Sequence, residues 1–137
     1  MNGPSAAQLE KARLLLLHEG ATGSAGECAT AAGRIYDKLH AHLDPLLGAA
    51  GVQALLVRSA KLTQPQFSFL EVAVVEDSTK LRERLQAQDP PVATGSAAAL
   101  FATFFALVTT FIGERLTTQI LRRAWPTIEE PSMETRR

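Results

Sequence analysis

This chain has little of what usually announces a function. It contains a single cysteine, Cys28, so no internal disulfide is available, and a reducing cytoplasm suits it. Fourteen Lys and Arg balance fourteen Asp and Glu. That leaves no overall field to attract nucleic acid or anionic lipid. Aromatic residues are few outside one phenylalanine cluster, and no aromatic residues interleave with basic ones to form a base-stacking platform. No serine sits in a G-x-S-x-G elbow, and the glycines fit neither G-x-G-x-x-G nor a phosphate loop. The N-terminal residues do not read as a secretory leader, because the first basic residue is Lys11 and the apolar block Leu14 to Leu17 is too short.

What the chain does have is alanine and leucine, with β-branched residues sparse, a composition that favours helices. Its 137 residues fit one domain able to bury a real core. The expected fold is an all-α bundle of four or five helices over residues 1–126, with a flexible charged tail over 127–137.

The most telling stretch runs from Ser96 to Gly113, eighteen residues without a charge. At about 1.5 Å per residue it is about 27 Å long, slightly short of the roughly 20 apolar residues of a membrane span. On a helical wheel the bulky residues Leu100, Phe101, Phe104, Phe105, Leu107, Val108, Phe111 and Ile112 share one broad arc. Ala99, Ala102, Ala106, Thr109, Thr110 and Gly113 hold the other. Past Gly113 the pattern inverts, with Glu114, Arg115, Thr118, Gln119, Arg122 and Arg123 on the formerly bulky side. Such sorting favours a long helix through a soluble bundle, from Ser96 to about Ala124, closed by Trp125-Pro126. A single membrane span is the alternative. So small a chain has few other helices to cover both arcs, which predicts a two-fold homodimer with apolar residues of this helix or its neighbours at the interface.

Upstream, Ser5 reads as an N-cap for a helix over Ala6 to His18, ended near Gly20. A second helix is expected from about Glu27 to Leu43. Its inner face carries Cys28, Ala32, Ile35, Tyr36, Leu39 and Leu43, and its outer face Thr30, Arg34, Asp37, Lys38 and Ala41. Asp44-Pro45 reads as a new N-cap and first helical residue. A third helix from Val52 turns Val52, Leu55, Leu56, Ser59 and Leu62 inward. Phe67 to Val75 has strand propensity but helical spacing. A lone strand would have no partner here, so helix is preferred, with Asp77-Ser78 re-capping before Thr79 to Gln88.

Candidate chemistry is thin. Asp37, His40 and Asp44 share a helical face, a partial divalent-metal set, yet a zinc site brings three or four protein ligands, so no metal is expected. Cys28 falls on an apolar face, where a thiol is a small hydrophobe. The basic groups near Lys80 and Arg122 read as solvated faces. The one candidate ligand site is a mouth formed by Glu114 and Arg115 where the apolar helix emerges, lined inside by Phe104 and Phe111. No catalytic residue and no cofactor are expected. The sequence therefore favours a cytoplasmic, non-enzymatic interaction or regulatory module with an unidentified protein partner and no nucleic acid. A small-molecule-binding or enzymatic bundle with a cavity near Glu114 is the rival.

Overall fold

The helices begin where short polar side chains can satisfy the free backbone amides of a first turn. Ser5 and Ser24 each accept from the backbone of the third residue onward, and Gln8 and Glu27 reach back in reciprocal capping boxes. These open α1, Ala6–His18, and α2, Ala25–Leu47. The computed structural model describes residues 4–126, so the expected charged tail lies outside the described residues. Among those residues there follow α3, Ala49–Thr63, a 3-10 turn over Val72–Val75, α4, Ser78–Gln86, α5, Pro90–Ile112, and α6, Glu114–Ala124. No strand occurs among them, and the protein is all-α.

Three boundaries differ from the sequence reading. Asp44-Pro45 does not start a helix. α2 runs on through Pro45 to Leu47, because a proline this near a helix end forfeits only one ladder bond. The stretch from Phe67 to Val75 forms neither strand nor α-helix. It makes successive turns closed by the 3-10 turn, which bury Leu70, Val74 and Val75. The expected long helix from Ser96 to Ala124 is two helices. α5 starts earlier, with Asp89 at the N-cap and Pro90 at the first helical position, and stops at Ile112. Gly113, at φ 91° and ψ 157°, adopts a conformation essentially reserved for glycine and turns the chain into α6. The inversion of polar and apolar faces at Gly113 is thus a change of direction, not the emergence of one straight helix. Gly48, at φ 82° and ψ 148°, makes the equivalent turn between α2 and α3.

α5 is the axis of the bundle, packed by α1, α2, α3 and α6 and touched by α4, which lies chiefly on α2. From Ser96 to Phe105 every residue of α5 is buried, bulky and small arcs alike. The chain's own helices cover both arcs over this part of α5, whereas Ala106 and Leu107 beyond it are half-buried and Phe111 is exposed. α5 is long and apolar enough to cross a membrane, and 61% of its most apolar window is buried inside the bundle. Core formation accounts for most of that apolarity. The inner face expected of α2 is buried throughout, and so are Val52, Leu55, Leu56 and Ser59 on α3, whereas Leu62 is exposed. α4 approaches α2 at Gly33, where an added Cβ would stand 2.6 Å from Cδ of Arg82. The missing side chain leaves room for the aliphatic stem of Arg82 to lie directly on the α2 backbone.

Candidate functional site

Glu114 and Arg115 do occupy the exposed start of α6. The mouth expected around them is open at the surface. Glu114, Arg115, Thr118, Gln119 and Arg122 line a shallow concavity made by α6 alone. Glu114 also borders a cleft of about 310 Å³ between α1, α5 and α6, where Lys11, Phe105 and Thr117 contribute. Phe104 is fully buried in the core, while Phe111 on the same helix is 69% exposed. Seven residues apart is about two turns, yet the bundle ends between them, so these two rings do not line a common cavity. The structure brings Glu114 and Arg115 together and leaves both phenylalanines elsewhere.

Two polar centres stand out instead, and both hold helices together. The first is Glu19, the C-cap of α1 and the only charged residue buried among those described. Its carboxylate Oε2 accepts from the indole Nε1 of Trp125 at 2.7 Å and from Lys38 Nζ at 2.5 Å, while its backbone carbonyl accepts from Arg34 Nη1 at 2.9 Å. The Lys38 ammonium also sits 5.5 Å from the centre of the Trp125 ring. Burial alone would raise the Glu19 pKa, but the Lys38 and Trp125 hydrogen bonds and the Lys38 charge outweigh it and hold the group below the ordinary glutamate range. A buried carboxylate with two charge-assisted bonds is held in one position.

The second centre joins α2, α3 and the 3-10 turn. Gln53 Nε2 donates to the carbonyl of Val75 at 2.6 Å. The Tyr36 hydroxyl lies 2.8 Å from the same carbonyl and 3.1 Å from Gln53 Oε1, so its one proton serves either acceptor. His40 extends the chain, with Nε2 3.2 Å from Gln53 Oε1 and Nδ1 2.8 Å from Asp44 Oδ1. Because the Gln53 nitrogen faces a carbonyl, its oxygen faces the imidazole. Both ring contacts are then donations only when the imidazole carries two protons. Burial pushes the Tyr36 phenol above its ordinary pKa. His40 and Asp44 form the pair that the sequence suggested, but Asp37 is exposed and no third ligand joins them. No cluster of metal-ligating residues occurs among those described.

Cys28 is buried, and burial raises its thiol pKa against the opposing Thr94 hydrogen bond, which makes it a poor nucleophile. The role of Glu19 and Trp125 was not readable in the sequence, where 106 residues separate them. The one available signal was a solitary tryptophan closing a polar helix. No protein-family model, curated protein or solved structure matches this chain.

Proposed function

We propose that this bundle is a cytoplasmic, non-enzymatic interaction module that self-associates through the C-terminal end of α5. The observation that carries the reading is Phe111. It stands 69% exposed near the end of a helix that has no charged residue along its length. Leu107 and Ile112 beside it are half-buried, and no acid or base interrupts them before Glu114. A large aromatic ring left in water at the end of a core helix is the kind of anchor that interfaces use. The buried polar groups of Glu19 and Tyr36 are meanwhile committed to internal hydrogen bonds, which leaves them no substrate to meet.

Light scattering at micromolar concentration tests this. The expected result is a dimer that Phe111→Asp converts to a monomer with unchanged helical circular dichroism and a thermal midpoint no longer dependent on concentration. A monomeric parent chain overturns the proposal, and so does a dimer indifferent to the substitution. Recovery of the chain only with lipid vesicles would favour the single-span alternative.

A further inference from the structure

A groove of about 640 Å³ lies between α1, the end of α3 and the first half of α5, away from Phe111 and Glu114. Gly95, Ala99 and Thr103, spaced four apart, make its floor, over a length of about 12 Å at 1.5 Å per residue. Leu9, Leu62 and Phe67 make its walls, and Leu62 is exposed there although its helix turns other leucines inward. Small floor residues alone would mean only that something packs close.

Thr103 says more. It is 4% exposed, and no hydrogen bond reaches its hydroxyl among the described residues. The other buried serine and threonine hydroxyls, Ser59, Thr63, Ser96 and Thr117, all bond a carbonyl within one turn. Thr63, Thr117 and Ser59 donate four residues back and Ser96 three. A buried hydroxyl without a partner carries an unmet desolvation penalty, and native structures rarely leave one so. The groove also holds one charged side chain. Arg13, one turn beyond Leu9 on α1, has no ion pair or hydrogen bond among the described residues.

We propose that this groove binds a small amphipathic carboxylate, a medium-length acyl chain ending in a single anionic head. The acyl body covers Gly95 and Ala99 between the Leu9, Leu62 and Phe67 walls. The carboxylate offers its two oxygens to the Thr103 hydroxyl and the Arg13 guanidinium, supplying at once the acceptor and the negative charge that the groove lacks. A neutral apolar occupant would leave both groups unpaired, and a cation would face Arg13. The site is separate from the self-association read from Phe111, so either proposal can fail alone.

Isothermal titration with decanoate, below its aggregation concentration, tests it on the full chain. One decanoate per chain is expected, with decanol and decyltrimethylammonium at least tenfold weaker. Arg13→Gln, at an exposed position that leaves the core untouched, should weaken decanoate at least tenfold, and Thr103→Val several-fold. Equal affinity for decanol, or an Arg13→Gln variant that binds decanoate as the parent does, overturns the proposal. Absence of any saturable binding overturns it too. If Ala99→Leu, which fills the floor, instead dissociates a dimer seen by light scattering, the occupant is a second copy and the carboxylate assignment is rejected.

Discussion

Trp125 donates its indole proton to the carboxylate of Glu19 across 2.7 Å, and so ties the end of the last described helix to the cap of the first. Lys38 bonds the same carboxylate oxygen from α2, so three helices are registered on one acceptor. Trp125→Phe keeps most of the ring and should cost about 1–3 kcal/mol through loss of a charge-assisted bond. Lys38→Met should cost less, because its side chain is 39% exposed and solvent screens the pair. Chemical denaturation of the two variants checks the order.

The same carboxylate gives the stability an acid dependence. Its folded pKa is depressed, so its contribution is fully present above the unfolded value of about 4.3 and is lost as pH falls through the lower folded value. Glu19→Gln should therefore flatten the decline in stability between about pH 5 and pH 3 relative to the parent. Parallel curves for the two proteins would contradict it.

At Tyr36 the sign reverses. Burial first of all raises the phenol pKa, so its contribution is complete below the unfolded value of about 10 and disappears as pH rises through the folded value. Absorbance at the tyrosinate band should show the phenol ionising later in the folded chain than in urea. Tyr36→Phe alone should cost about 0.5–1.5 kcal/mol, because Gln53 still donates to the Val75 carbonyl. Tyr36→Phe with Gln53→Ala leaves that carbonyl bare, and the pair should exceed the sum of the single changes by about 0.5 kcal/mol or more.

Gly33→Ala offers a change of sign. In the parent chain the new methyl meets Arg82 Cδ at 2.6 Å and Cγ at 3.0 Å, and forcing α4 aside should cost about 1–3 kcal/mol. With Arg82→Ala the obstruction is gone. The same methyl should then stabilise α2 by about 0.5–1 kcal/mol through helix propensity. Thermal midpoints of the four proteins in this cycle test it.

Gly113→Ala tests the break between α5 and α6. Nothing lies within 4 Å of an added Cβ, so any loss comes from the backbone rather than from crowding. At φ 91° the expected cost is about 1–3 kcal/mol. A neutral result would mean that the two helices can join without disturbing the core.

Periodicity and caps by themselves determine much of this fold. The apolar spacing of α2 and α3 named the large residues they bury, since burying a stripe is how a helix gains stability in water. It did not name Ala29, Ala31, Gly33, Ala60 or Thr63, because small residues mark that stripe weakly. Ser5 and Asp77 marked helix starts because the amides they satisfy lie within three residues. The uncharged run was legible as a core helix for the same local reason. What the sequence left undecided was direction and company. The same glycine fits a continuing helix or a sharp turn, and only packing of α6 against α2 and α5 makes Gly113 a turn. Phe104 and Phe111 are alike on a wheel, and the point at which the bundle stops places one in the core and the other in water. The Glu19 hub and the Thr103 groove join α1 to residues more than eighty positions away. Interactions between residues so distant leave no period in a sequence, because they exist only once the helices have packed.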